Sequence, residues 1–207
     1  MFPTYIHISQ LSFAIQASRT RRGIPSLGLL LIAMAVWASP ADAKVELGKG
    51  IPSFYIKSGD NQEFTHKQLQ GKIGVIFYET RETKDRNRPA QEAMMKFYHR
   101  WGKAAVQWVV RLAVIDASSS FWPINLIWRR QLRKHSEEWK LTIYADWAGK
   151  MRKAWGLAEG ESHLIVVDHR GKIRMIKHGL LTELDVFQVK DLLQGIYQEL
   201  LANNAPR

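Results

Sequence analysis

Three groups of side chains have the types and spacing to carry chemistry. The first is Thr80-Arg81-Glu82-Thr83-Lys84-Asp85-Arg86-Asn87, just ahead of Pro89. Its hydroxyls, cations and carboxamide suit a carboxylate, phosphate or sulfate. A helix opening at the proline would add free amides and the positive end of its dipole. Thr80, Arg81, Thr83, Lys84 and Asn87 are therefore candidate ligand-binding residues. Glu79, Glu82 and Asp85 are interleaved and cancel part of that field, and a solvated loop with internally paired charges has the same composition. The second is Ser162, a polar residue at the start of a predicted strand and a further candidate ligand-binding residue. The third is His163 with His178. If Arg170 and Gly171 form an even-length turn, these two histidines face each other across a hairpin. Two imidazoles do not close a zinc site and the sequence offers no evident third ligand, so no metal is assigned and the pair stands as the alternative.

Several chemistries are excluded or unsupported. The chain has no cysteine, so thiol-disulfide exchange and thiol peroxidase activity are not expected. Ser118-Ser119-Ser120 lacks a nucleophile elbow, and Gly59, Gly71 and Gly74 do not make a phosphate loop. Glu137-Glu138 and the Glu159, Glu161 pair fall at surface-like positions. No cofactor is implied.

These groups need elements to hold them. Gly71-Lys72-Ile73-Gly74-Val75-Ile76-Phe77-Tyr78 is a short apolar and β-branched run of buried-strand length. After the charged segment, Ala90, Ala93, Met94, Phe97, Tyr98 and Trp101 recur at three- and four-residue steps, one face of a helix. Ser53 to Ile56 and Glu63-Phe64 flank a turn-rich stretch and predict a small hairpin, followed by a helical turn through His66 to Leu69. Val106 to Asp116 predicts a central strand buried on both faces. Ile124, Ile127, Trp128, Leu132 and Trp139 predict the apolar side of a helix whose other side carries Arg129, Arg130, Arg133 and Lys134. That cationic side suits an anionic membrane surface, although a helix that merely covers a sheet has the same pattern.

Leu141 to Tyr144 reads as a strand and Ala148 to Trp155 as a short helix capped by Gly156. His163 to Asp168 and Ile173 to His178 form a hairpin. Thr182 with Asp185 caps a last helix lined by Val186, Val189, Leu193, Ile196 and Leu200, and residues 203–207 read as a polar tail. Crossovers between strands imply parallel pairing with helices on both faces, and the hairpin adds antiparallel strands. The expected fold class is an α/β three-layer sandwich with a mixed central sheet flanked by helices.

This order of elements resembles the thioredoxin and peroxiredoxin-like fold. More specifically, residues 71–93, 142–157 and 161–193 are similar to the YtfJ family of periplasmic thioredoxin-like proteins. The most telling piece is Trp155-Gly156-Leu157 followed by Glu161-Ser162 and the Val166-Val167-Asp168 hairpin. The resemblance implies an exported protein on a thioredoxin scaffold that lacks the redox motif. Functional members of the wider superfamily place a cis-proline just before the hairpin strand. Here Glu161-Ser162-His163 stands in that place, which argues against redox function.

The first 43 residues agree with export. Arg19, Arg21 and Arg22 form a positive region, Leu27 to Trp37 an apolar core, and Ala41-Asp42-Ala43 a small-x-small site, so cleavage after Ala43 and a periplasmic location are expected. An uncleaved inner-membrane anchor is the alternative. The whole chain of 207 residues carries +11. Residues 44–207 keep 27 of the 30 Lys and Arg and 18 of the 19 Asp and Glu, so the +9 that remains belongs to the domain expected over 44–202. Such a charge favours anionic partners. An exported chain seldom meets nucleic acid, which is not expected as a partner. The expectation is a non-redox binding protein that recognises a small anionic ligand, a peptide or an envelope protein near Arg81, Lys84 and Ser162. A thiol-independent enzyme using the same cleft, or a membrane-anchored envelope protein, is the alternative.

Overall fold

The computed structural model describes residues 44–119 and 124–204, so the expected export signal lies outside the described residues. The elements in chain order are β1 (Tyr55–Ser58), β2 (Glu63–Thr65), a 3-10 turn (His66–Leu69), β3 (Ile73–Glu79), α1 (Arg88–Trp101), α2 (Lys103–Val106), β4 (Val109–Asp116), α3 (Ile124–Trp139), β5 (Ile143–Asp146), α4 (Lys150–Trp155), β6 (His163–Val167), β7 (Ile173–His178) and α5 (Glu183–Asn204). The strands form one sheet in the order β2-β1-β5-β4-β3-β6-β7. β3 pairs in parallel with β4 and antiparallel with β6, and β4 pairs in parallel with β5.

The alternation of β3 assigns the two layers. Ile73 and Val75 pack with Leu164 and Val166 against Met94 and Phe97 of α1 and Val189, Leu193 and Ile196 of α5. Ile76 and Tyr78 point to the opposite face, where Leu112, Val114, Met151 and Trp155 gather around α4. Successive strand residues face opposite sides of a sheet, so one seven-residue strand serves both cores and is buried along nearly its whole length. Gly74 is the exception in size, because a Cβ there would stand 3.2 Å from Leu69. The mixed three-layer sandwich expected from the sequence is the observed fold.

Four local expectations differ from the structure. β4 begins at Val109 rather than Val106, because Lys103–Val106 winds into the short helix α2 after Gly102, whose φ of 91° suits glycine. β4 is also not buried throughout: Arg111 lies in mid-strand with its guanidinium 5.5 Å from the Tyr98 ring. On α3, Leu132 enters the core with Ile115 and Ala145, yet Ile127 and Leu126 are each 60% exposed. The apolar side of that helix is therefore wider than the stripe that packs. α5 continues through Asn203 and Asn204 into the expected polar tail, with Asn203 Nδ2 donating to Glu199 O.

The β6–β7 hairpin reaches the expected register by another route. Asp168 N donates to Lys172 O and Gly171 N to Asp168 O, so the loop encloses three residues, an odd number. Gly171, with φ of 75°, takes the left-handed position of that loop. A bulge between Val166 and Val167 then restores the frame, and His163 lies opposite His178.

Candidate ligand cleft at the strand ends

The segment after β3 coils back on itself instead of standing open. Thr80 N donates to Thr83 Oγ1 at 2.9 Å, Thr83 N to Thr80 Oγ1 at 3.3 Å, and Lys84 N to Thr80 O at 3.1 Å. Thr80 and Thr83 are both buried. Their hydroxyls thus hold the turn that carries Arg81 and Glu82 to the surface. Asn87, the residue preceding α1, is buried as well. It accepts from Leu181 N at 2.9 Å and donates from Nδ2 to Gly179 O at 3.1 Å, and Gly179 N donates in turn to Ser162 O. A single asparagine ties the segment to the chain that follows β7, and through Gly179 to Ser162, the residue just before β6.

A cleft of about 290 Å³ opens beside this turn, at the ends of β3 and β4 where parallel strands of an α/β sheet present their carboxyl ends. Thr80, Arg81 and Glu82 form one wall, Ile115 to Ser119 the floor, Ile124 and Trp128 a second wall, and Glu159 and Gly160 the rim. Arg81 is the cationic member of the lining. Its guanidinium lies over the Trp128 ring, 5.0 Å from the centroid, which holds a long side chain in place and leaves the planar fork available to a carboxylate or carbonyl.

Carboxylates temper that charge. Asp116, on the floor, lies 2.9 Å from Arg152 Nε, and Arg152 Nη1 lies 3.1 Å from Glu159. Beneath them, Asp146 Oδ2 accepts from Tyr78 Oη at 3.1 Å and from Arg152 N at 2.9 Å. Burial raises Asp146 above the usual carboxylate range, and burial with the nearby Asp146 charge pushes the Tyr78 phenol up. This network fixes the cleft floor.

The six candidate binding residues do not converge. Thr80 and Arg81 line the cleft, and Thr83 and Asn87 support it from below. Ser162 is buried two residues beyond the rim residue Gly160. Lys84 lines a separate hollow of about 170 Å³ with Glu79, Gln91 and His135, and Trp128 is a wall of both. Arg129 and Arg133 are committed elsewhere. Arg129 meets Asn61 and lies 4.8 Å from the Trp147 ring, and Arg133 donates to Gly59 O. Lys134 approaches Glu138 and Arg130 is exposed, so the basic side of α3 is only partly free.

Sequence reasoning passed over Asp116, Trp128, Arg152 and Glu159 as parts of one site. The position of Asp116 at the carboxyl end of an interior parallel strand was the available signal; the Arg152 bridge had none. It reads Glu79 only as an acid that cancels part of the loop's positive field, not as a buried group. This side chain is 4% exposed, and burial lifts its carboxyl to about 7. One oxygen accepts from Gln91 Nε2 at 2.8 Å, while Oε1 is buried without a partner.

A parallel-centred sheet with a strand, turn and helix unit at its middle and a hairpin at one side defines a thioredoxin-like protein. Solved structures agree at the level of the fold. A putative thiol:disulfide interchange protein DsbE from Chlorobium tepidum is 13% identical with a TM-score of 0.58, covering 74% of this chain and 99% of that one. A putative protein disulfide isomerase from Bacteroides thetaiotaomicron is 13% identical with a TM-score of 0.54, over 74% and 91%. A thiol peroxidase from Chromobacterium violaceum is 12% identical with a TM-score of 0.51, over 74% and 90%. Within that class, residues 53–196 match the family described as bacterial protein of unknown function (YtfJ_HI0045), and the chain belongs to it. An uncharacterized protein of Haemophilus influenzae is 31% identical over 67 residues. That match spans 32% of this chain and about a third, 34%, of the relative.

Proposed function

We propose that the protein is an exported, non-redox binding module that holds a peptide segment of an envelope partner in the cleft that Arg81 and Trp128 line. The observation that carries this reading is the Arg81 guanidinium laid over Trp128 in the wall of a cleft whose floor includes the apolar Ile115 and Ala117. A small free anion is less well served, since Glu82, Asp116 and Glu159 share the lining. A peptide supplies both a carboxylate or carbonyl for Arg81 and an apolar side chain for the floor. The absence of cysteine supports a role without thiol chemistry, and the leader read over residues 1–43 supports export, with an uncleaved anchor as the variant of that reading.

The test is selection of a displayed heptapeptide library on the purified protein. Enriched peptides should lose binding to Arg81→Ala and keep it to Lys190→Ala on α5. Equal binding to both variants would overturn the assignment of the cleft.

A second reading, a thiol-independent enzyme, is favoured by Glu79. A buried carboxyl with a free oxygen, lifted to about 7 and lining a hollow beside the cleft, has the attributes of a general acid or base. Hydrolysis of any of the selected peptides by the wild type but not by Glu79→Gln would replace the binding module with this reading.

A further inference from the structure

His163 and His178 are directly opposite on β6 and β7. The next pair outward is joined by the bond from Gly179 N to Ser162 O, so the histidines occupy a non-hydrogen-bonded pair, where side chains approach most closely. Their Nδ1 atoms are 2.7 Å apart with the rings perpendicular. Glu161, two residues before His163, brings a carboxylate oxygen to the same side, and one donor atom from each of the three residues lies within 4.8 Å of the others. On its other side, His163 Nε2 faces Ala158 O at 3.3 Å. An N–H donated to that carbonyl fixes the proton on Nε2 and leaves Nδ1 with its lone pair directed at His178 and Glu161. Metal-ligating histidines are held this way by a second partner.

We propose that Glu161, His163 and His178 bind a divalent late first-row transition ion, copper(II) or nickel(II), through two imidazole Nδ1 atoms and one carboxylate oxygen. The ion takes the place of the proton that otherwise lies between the two Nδ1 atoms. Metal–nitrogen bonds of about 2.0–2.1 Å put two donors about 2.8–3.0 Å apart at a right angle and about 3.3–3.4 Å apart at the tetrahedral angle. The hydrogen-bonded 2.7 Å contact must therefore open by about 0.1–0.3 Å to admit an ion at a right angle and by about 0.6–0.7 Å at the tetrahedral angle, and the smaller movement is the one a tetragonal site needs. His163 is 2% exposed and anchored in the sheet, whereas Glu161 and His178 are exposed, so an ion reaches the donors from solvent without opening the core.

The experiment is calorimetric titration of the protein, purified without a histidine tag, with copper(II) and nickel(II) salts, together with electron paramagnetic resonance of the copper(II) form. One ion should bind per chain, and the copper spectrum should be tetragonal with hyperfine coupling to two imidazole nitrogens. His178→Ala should weaken binding by at least about tenfold. His135→Ala, which removes an exposed histidine paired with Glu138, should leave binding unchanged. Absence of one-to-one binding, a spectrum without two nitrogen ligands, or equal affinity in His178→Ala would overturn the site. The spectrum is read on the unaltered protein, so that arm does not depend on a variant folding.

Discussion

Gln91 Nε2 donates to Glu79 Oε2 at 2.8 Å, so the first turns of α1 already hold a carboxylate supplied by the last residue of β3. The anion expected at this helix N-terminus is thus partly internal. Burial is the main cause of the raised Glu79 carboxyl, near 7 against an ordinary value of 4.5. A group raised in this way stabilises the fold fully below its unfolded value, and the contribution fades as pH climbs through the folded one. Glu79→Gln, which keeps the shape and an acceptor for Gln91, should gain stability relative to wild type between about pH 5 and pH 8. The relative gain should be on the order of 2–3 kcal/mol. Urea unfolding of both proteins at the two pH values measures it.

Gly59 lies where the β1–β2 turn touches α3. A Cβ there would stand 2.6 Å from Arg129 O and 3.0 Å from Arg133 Cγ, so even alanine pushes on backbone. Gly59→Ala should cost about 1–3 kcal/mol and release the Arg133 hydrogen bond to Gly59 O. Thermal unfolding would read the loss.

Asp146 is 2% exposed and accepts from both Tyr78 Oη and Arg152 N. Asp146→Ala strands the buried Tyr78 hydroxyl and the part-buried Arg152 N–H and should cost about 2–4 kcal/mol, whereas Tyr78→Phe removes one donor and should cost only about 1 kcal/mol. The two losses should not add in the double variant, because both act on one network.

α5 starts with a reciprocal cap. Asp185 N donates to Thr182 Oγ1 at 3.2 Å, and Thr182 N donates to Asp185 Oδ2 at 2.9 Å. Lys177 and then Thr182 hold the Asp185 carboxyl down to about 2. Its stabilisation is present above the ordinary carboxylate value and lost as pH falls toward about 2. Thr182→Ala should cost about 1 kcal/mol near neutral pH in urea unfolding.

The fold was legible because its signals are local and mutually consistent. β3 reads as an unbroken apolar run, Gly156 ends α4 with φ of 63°, and Thr182 and Asp185 announce α5. The facing of His163 and His178 was legible only because two irregularities offset each other, a three-residue loop and the bulge that leaves Arg174 extra. The binding segment was less legible, since a list of polar residues does not say how a loop coils. Hydrogen bonds within Thr80 to Arg86 turn Arg81 and Lys84 into different hollows that share Trp128 as a wall. Of the carboxylates that share the cleft, Glu82 is the neighbour of Arg81, whereas Asp116 and Glu159 lie 35 or more positions further along the chain.

The most direct measurement places a photo-crosslinking residue at Glu82, an exposed residue of the cleft wall, and irradiates intact cells. The account predicts an adduct with an envelope polypeptide, identified by mass spectrometry, that disappears when Arg81→Ala is added and is not formed from a probe at Lys190. Adducts of equal yield from both positions, or an adduct from Glu82 that survives Arg81→Ala, would contradict it.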